Sequence, residues 1–80
     1  MWKEDHKALT RTFEFKNFIK AFSFMTQVAI EAEKLNHHPN WSNEYNKVII
    51  KLSTHDAGNI ITNKDRELAQ AIDRLLEDVG

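Results

Sequence analysis

The sequence of 80 residues contains no cysteine, one proline and two glycines. Without cysteine, disulfides and thiolate metal sites are excluded. No apolar run approaches the roughly 20 residues that a membrane-spanning helix needs, and Met1–Asp5 do not resemble a signal peptide. The formal net charge of -1 provides no general attraction to nucleic acid or to anionic lipid. We therefore expect a cytoplasmic protein that makes no direct contact with nucleic acid or membranes.

The composition is that of an ordinary globular domain. Hydrophobic residues make up 41% and charged residues 29% of the chain, a balance that argues against disorder. The length predicts a single domain over residues 1–80. Because a domain of this size buries only roughly 60% of its surface on folding, its core is thin. Self-association commonly compensates for a thin core, and we expect it here.

Periodicity predicts the first two elements of the fold. Residues Leu9–Phe15 alternate between two sides, which predicts a half-buried strand. Over Phe18–Leu35 the apolar period becomes helical. Asn17 is a plausible N-cap for this helix. Pro39 disfavours the α conformation at the residue before it, so the helix should end within residues 36–38.

The predicted helix is too apolar to have only one buried stripe. We expect its main apolar face to be formed by Phe18, Phe22, Met25, Ala29, Ala32 and Leu35. Four further apolar residues lie off that face: Ile19, Phe24, Val28 and Ile30. A domain this small cannot easily bury both sets, so a partner subunit should cover the surplus.

The second half of the chain predicts short strands and one more helix. Strands are expected at 41–45, 47–54 and, more briefly, 60–61, with a turn at 56–59. Thr62–Asp65 matches a capping box, which starts a helix running to about residue 78. Its expected inner face consists of Leu68, Ile72, Leu75 and Val79. This element order predicts an α+β fold, an antiparallel four-stranded sheet with helices packed on one face.

Three of the four histidines lie where elements end. His37 and His38 follow the helix, and His55 follows a strand, whereas His6 lies in a polar stretch and is expected to be solvated. Functional side chains gather at such ends, and histidine gives and accepts protons near neutral pH. Structural roles stay open for each: a helix cap for His37, packing before proline for His38, and a turn for His55.

A metal site is the rival chemistry for the histidines. Adjacent histidines in helical backbone point roughly 100° apart, so His37 and His38 are poorly placed to share a metal, and no other metal-binding motif is present. Trp41 and Tyr45 could be stacking platforms for an aromatic ligand or core aromatics beside a turn. Asp65 can also be interpreted as a purely structural residue, the acidic member of the capping box.

The order of these residues resembles the pterin-4a-carbinolamine dehydratase family, also known as the dimerization cofactor of a hepatic homeodomain factor. The resemblance is carried by Ala32–Trp41, by Tyr45–Val48, by Leu52–Gly58, and by Thr62 and Asp65. It implies that His37, His38 and His55 are catalytic and that Asp65 is the family's aspartate at the start of the last helix. The pterin-binding residues that it implies are Glu33, His37, His38, Pro39, Trp41, Thr54, His55, Asp56, Ala57 and Asp65.

The resemblance further implies an activity. Family members dehydrate 4a-hydroxytetrahydropterin to quinonoid dihydropterin in tetrahydrobiopterin recycling, without metal or other cofactor, as homo-dimers or homo-tetramers. Two other functions remain open: a protein-binding module that acts as a transcriptional cofactor, and a different pterin-related role such as molybdopterin metabolism.

The sequence departs from the family pattern in two places. Only Met1 comes before Trp2 in this sequence, so we expect no counterpart of the N-terminal helix that usually precedes the matching tryptophan in the family. The stretch from His55 to Asp65 is one residue longer than in many members, and Asn59 stands where glycine is frequent.

Overall fold

The computed structural model describes the backbone of residues 1–79 and the side chains of residues 1–77. Its elements in chain order are β1 (Lys3–Glu4), β2 (Leu9–Glu14), α1 (Phe18–Leu35), β3 (Asn40–Glu44), β4 (Lys47–Leu52), a 3-10 turn (His55–Ala57) and α2 (Asn63–Val79). The four strands form one antiparallel sheet in the order β1-β2-β4-β3. The predicted α+β fold is confirmed.

The sheet has one face toward the core and one toward solvent. Along β4, Val48, Ile50 and Leu52 are buried, whereas Ile49 and Lys51 point to the other face and are exposed. Both helices pack into one core together with the sheet. β2 contributes Leu9 and Phe13 to this core; α1 contributes Ala21, Phe24, Val28 and Ala32; and α2 contributes Leu68, Ala69 and Ile72. The helices therefore cover one face of the sheet. The expected inner-face residue Val79 lies outside the residues whose side chains are described.

The fourth strand is not the one that the sequence predicts. It is β1, which pairs with β2 through Lys3↔Thr10 and Glu4↔Leu9. Ile60 instead forms one isolated bridge with Thr54. The chain reaches this bridge through a left-handed turn at residues 58–59 and then enters α2, which leaves no length for a strand. Asparagine tolerates the left-handed conformation that Asn59 adopts there, with φ of 61°.

The boundaries of α1 follow from its caps. The Asn17 side chain accepts a hydrogen bond from the backbone N–H of Lys20 at 2.9 Å, which confirms it as the N-cap. At the other end Asn36 adopts the left-handed conformation, and its N–H bonds the carbonyls of Ala32 and Glu33. The helix ends where Pro39 predicts, because the left-handed residue turns the chain away before the proline.

The helix faces are assigned differently from the prediction. Phe24 and Val28 are fully buried, whereas Phe18 and Phe22 are 43% and 53% exposed. The reason is the neighbouring strand: the ring of Phe24 lies 5.0 Å from that of Phe13 and 4.9 Å from that of Phe15, between centroids. The prediction that one apolar set is left uncovered is correct for this chain, but the uncovered set is different. We call it the outer α1 face, formed by Phe18, Ile19, Phe22, Thr26, Ala29 and Ile30.

Polar contacts attach the N-terminal strand to the last helix. The Trp2 indole N–H donates to Oδ1 of Asp73 at 2.9 Å, and Nη1 of Arg11 contacts the same oxygen at 2.9 Å. Arg66 donates two hydrogen bonds to the carboxylate of Glu4, at 3.2 and 3.1 Å. The contacts of Trp2 and Glu4 hold β1, whose two residues are exposed, against α2, and the contact of Arg11 joins β2 to the same helix.

The contact between Glu4 and Arg66 should make stability depend on pH. The hydrogen bonds and charge of Arg66 lower the pKa of Glu4 from its ordinary 4.5. A carboxyl with a lowered pKa stabilises the fold above its unfolded-state pKa and loses that contribution as the pH falls through its folded-state pKa. We expect Glu4→Gln to lower the urea midpoint slightly at pH 7 and not at all well below pH 4.5. The matched control is Lys3→Gln on the same strand. An equal effect of Glu4→Gln at both pH values would contradict this account.

Candidate active site

The end of α1 places His37 inside the protein. After the left-handed Asn36, the backbone N–H of His37 bonds the carbonyl of Ala32 at 3.0 Å, which turns the imidazole toward the start of α2. The side chain is 10% exposed, and its Nε2 lies 2.5 Å from Oδ1 of Asp65. Two residues 28 positions apart are thereby joined in one buried pair.

Asp65 is completely buried, so its carboxylate needs several hydrogen-bond donors. Its Oδ2 accepts from the hydroxyl of Thr54 at 2.8 Å and from the backbone N–H of Thr62 at 2.9 Å. Its Oδ1 faces His37. The carboxylate also lies in the first turn of α2, where the helix dipole favours negative charge. The capping box is confirmed in its acidic half, through the bond from Thr62 N–H.

The second ring nitrogen of His37 faces the cleft. Among the residues whose side chains are described, every buried polar side-chain atom has a hydrogen-bond partner. The bond to Asp65 occupies Nε2, and within the described chain Nδ1 has no protein partner, so it is open to the cleft that His37 lines. With Asp65 accepting from Nε2–H, a neutral His37 carries its lone pair on Nδ1 and can take a proton there.

The cleft has a volume of about 220 Å³ and brings the three predicted histidines together. Its lining consists of Asn36, His37, His38, Ser53, Thr54, His55, Asp56 and Lys64. Pockets that enclose drug-sized ligands span roughly 300–1,000 Å³, so this cleft suits a small ligand that stays partly exposed. The proton-transfer hypothesis requires such a convergence, and the roles of the individual histidines stay predictions.

The other two histidines have more exposed surroundings than His37. Nε2 of His38 lies 2.6 Å from Oε1 of Glu33, and both side chains are exposed. Nδ1 of His55 lies 3.9 Å from Oδ1 of Asp56, beyond hydrogen-bond range, and both side chains are almost fully exposed. The cleft therefore combines one fixed, buried imidazole with two that solvent reaches.

The remaining predicted binding residues occupy different positions. Asp65 lies behind His37, and Glu33 reaches the cleft only through His38. Pro39, Trp41 and Ala57 do not line this cleft, and Trp41 packs against the core instead. Three residues outside the predicted set also line the cleft: Asn36, Ser53 and Lys64. Tyr45 and His6 lie away from it, in the β3–β4 turn and in an exposed loop.

Sequence position offers a signal for some of the missed residues. Asn36 and Ser53 each lie next to a predicted site residue, and Lys64 directly precedes Asp65 in the first turn of α2.

Within the described residues, no three histidine, aspartate or glutamate side chains are grouped so that they could hold a metal ion. In the same part of the chain, neither helix has the length and apolar character needed to cross a membrane.

Comparison with known sequences gives a consistent family. Residues 1–75 match the sequence profile of a family described as Pterin 4 alpha carbinolamine dehydratase. Two proteins of Prochlorococcus marinus, from strains NATL2A and AS9601, are each 55% identical to this chain and carry the name "Putative pterin-4-alpha-carbinolamine dehydratase". The matches span 94% and 95% of this chain and 78% of each relative.

Two solved structures have the same fold. A Brucella melitensis protein described as a transcriptional coactivator/pterin dehydratase superposes with a TM-score of 0.86 and 44% identity, over 91% of this chain and 79% of that one. A pterin dehydratase-like protein described as a RuBisCO assembly factor in the alpha-carboxysome has a TM-score of 0.74 and 22% identity, over 94% of this chain and 86% of that one. The second likeness extends to the fold alone.

Proposed function

Because this chain belongs to the pterin-4a-carbinolamine dehydratase family, we propose that it is a metal-independent dehydratase of 4a-hydroxytetrahydropterin in tetrahydrobiopterin recycling. The observation that carries the proposal is the cleft in which His37, backed by buried Asp65, lies beside His38 and His55. Three imidazoles around one cleft supply proton donors and acceptors near neutral pH.

The proposed reaction is an elimination of water without redox change. The bond between ring carbon C4a and its hydroxyl oxygen breaks, and that oxygen takes a proton and leaves as water. The hydrogen on N5 departs as a proton, and its electron pair forms the C4a–N5 double bond of the quinonoid dihydropterin. One proton is supplied and one is removed, so an acid and a base of similar strength suffice.

We assign the proton transfers to His37 and His55. His37 offers a cleft-facing Nδ1 backed by a carboxylate, and exposed His55 can exchange protons with solvent. His38, which Glu33 holds at 2.6 Å, would bind the pterin ring. We propose that Asp56 and Lys64 contribute polar contacts at the rim, since both line the cleft.

A dehydration assay tests the proposed function. Chemically generated 4a-hydroxytetrahydropterin is mixed with the protein, and formation of the quinonoid product is followed above the uncatalysed rate. We expect a concentration-dependent acceleration that extensive dialysis against chelator leaves unchanged. A rate equal to the uncatalysed background would overturn the proposal, and loss of activity on dialysis that added metal restores would overturn metal independence.

The partner that we propose for the outer α1 face is a second copy of this chain. Ile19, Phe22 and Ile30 are each more than half exposed there. The small core of this domain does not bury these apolar side chains, so an interface with another chain would remove them from water. From Phe18 to Ile30 the face carries no charge, and the hydroxyl of Thr26 bonds the carbonyl of Phe22 within the helix. The exposed Glu33 lies at the C-terminal edge of the same stripe, where it contacts His38. A two-fold interface places a surface against itself, where charges would meet like charges, so a neutral face is suited to it.

One observation also favours a second candidate function. The same outer α1 face would serve a different protein if the chain were a binding module, as a transcriptional cofactor would require. The two functions differ in what the cleft does, because a binding module needs no histidines there. Activity in the dehydration assay together with self-association would favour the enzyme.

A further inference from the structure

We propose that Thr62 and Thr54 form a hydroxyl relay that orients Asp65 and thereby fixes which nitrogen of His37 carries the proton. Both threonines are positioning residues on this account, and the inference rests on the proposed function for its catalytic consequence only. It gives the Thr54 side chain a structural duty in place of the direct pterin contact that the resemblance implies.

The direction of the relay follows from counting protons. The Thr54 hydroxyl donates its single proton to Oδ2 of Asp65 at 2.8 Å. The hydroxyl oxygens of Thr54 and Thr62 lie 2.6 Å apart. Because the Thr54 proton is already committed, Thr62 must donate in this bond. The order is therefore Thr62 hydroxyl to Thr54 hydroxyl to Asp65 carboxylate.

The relay occupies one side of the carboxylate and leaves the other to His37. Oδ2 receives two donors, the Thr54 hydroxyl and the Thr62 backbone N–H, so only Oδ1 faces the imidazole. A carboxylate anchored in this way cannot rotate to present either oxygen. Because Oδ1 can only accept a hydrogen bond, the nitrogen of His37 that faces it, Nε2, must carry the proton. The lone pair of a neutral ring is then on Nδ1, in the cleft.

The position of the relay in the fold explains why it is rigid. Thr54 is buried at the end of β4, and Thr62 precedes α2. The backbone bridge between Thr54 and Ile60, with an N–O distance of 2.9 Å, closes the intervening turn and brings the two hydroxyls together. The same turn carries His55 into the cleft, so one local structure places both members of the proposed proton-transfer pair.

The test uses variants that remove a hydroxyl while keeping the branched shape, Thr54→Val and Thr62→Val, with Thr54→Ser as the conservative rescue. Thr12→Val is the matched control, because Thr12 is exposed on β2. The readouts are the ¹⁵N shifts of the His37 ring in the neutral state, and kcat and KM of dehydration. Circular dichroism verifies that each variant is folded.

We expect Thr54→Val to lower kcat about tenfold with little change in KM, since a hydrogen bond to a charged group is lost. In Thr54→Val, the ¹⁵N chemical shifts of the two His37 ring nitrogens should move toward a common value as the tautomers mix. In Thr54→Ser and Thr12→Val the two shifts should stay separate. Thr62→Val should have a smaller effect, and none when added to Thr54→Val, because it acts through Thr54.

Three results would overturn the relay. They are an unchanged His37 tautomer in folded Thr54→Val, a rise in KM with kcat unchanged, and full additivity of the two valine substitutions. The tautomer readout does not depend on activity. If the wild-type protein fails the dehydration assay but Thr54→Val mixes the tautomers, then the relay stands and the proposed function falls.

Discussion

Replacing His37 with alanine should lower the kcat of dehydration by roughly 10²-fold or more, because general acid–base catalysis contributes about 10²–10⁴-fold. His55→Ala should have an effect of similar size if His55 supplies the second proton transfer. His38→Ala should mainly raise KM, since its proposed role is to bind the ring. Steady-state rates above the uncatalysed background measure all three.

Because the His37–Asp65 pair is buried, His37→Ala should lower stability as well as activity, and a control must separate the two effects. Alanine leaves a buried carboxylate with one donor fewer, which costs stability on the order of 1–3 kcal/mol. His37→Gln keeps an N–H donor for Asp65 but cannot transfer protons, so it should be inactive and better folded than His37→Ala. His6→Ala, at an exposed histidine outside the cleft, should be fully active. Wild-type turnover in a variant lacking both His37 and His55 would refute the active-site assignment.

Introducing a charge into the outer α1 face should convert an oligomer into a monomer of 9.4 kDa. We expect the wild-type protein to be at least a dimer, and Phe22→Glu to be monomeric at high micromolar concentration, because burying an unpaired carboxylate in an apolar interface is strongly unfavourable. Light scattering coupled to size exclusion measures the molar mass of both.

The control for this experiment lies on the other helix. Gln70→Glu adds the same charge at an exposed position of α2 and should leave the oligomer intact. A wild-type protein that is monomeric at high micromolar concentration would contradict self-association, and the binding-module function would then be the better account of the outer α1 face. Retained cleft activity in monomeric Phe22→Glu would mean that each chain carries a complete site.

The fold was predictable where local rules act alone. Asn17 and Pro39 mark the bounds of α1, and the alternation from Leu9 marks β2, because capping and strand periodicity depend on neighbours in sequence. The buried face of α1 was not predictable. Two apolar sets both follow the helical period, and the choice between them depends on the aromatic rings that β2 presents to Phe24. The exposed, polar β1 has no apolar alternation from which to infer a strand.

The candidate site likewise has features that the sequence predicts and features that depend on tertiary packing. The histidines are visible in sequence because they cluster where elements end, and the resemblance supplies Asp65. The burial of Asp65, and the duty of Thr54 and Thr62 toward it, depend on how the turn after β4 packs against α2. The capping-box spacing predicts the bond from the Thr62 N–H to Asp65, but sequence spacing carries no signal for the packing of Thr54 against them. The hydroxyl hydrogen bonds exist only after the turn closes.

The bond between the Trp2 indole and Asp73 has a consequence for how the protein is made. It joins residues 71 positions apart, and the His37–Asp65 pair likewise requires α2. On a ribosome adding about 5–20 residues per second, β1 waits for several seconds before its partner on the last helix is synthesised. Until then the core residues of β2, β4 and α1 lack the cover that Leu68, Ala69 and Ile72 of α2 provide, so nascent chains are exposed to aggregation and to chaperones. We expect the attachment of β1 to α2 and the histidine-lined cleft to form together, once α2 has been synthesised.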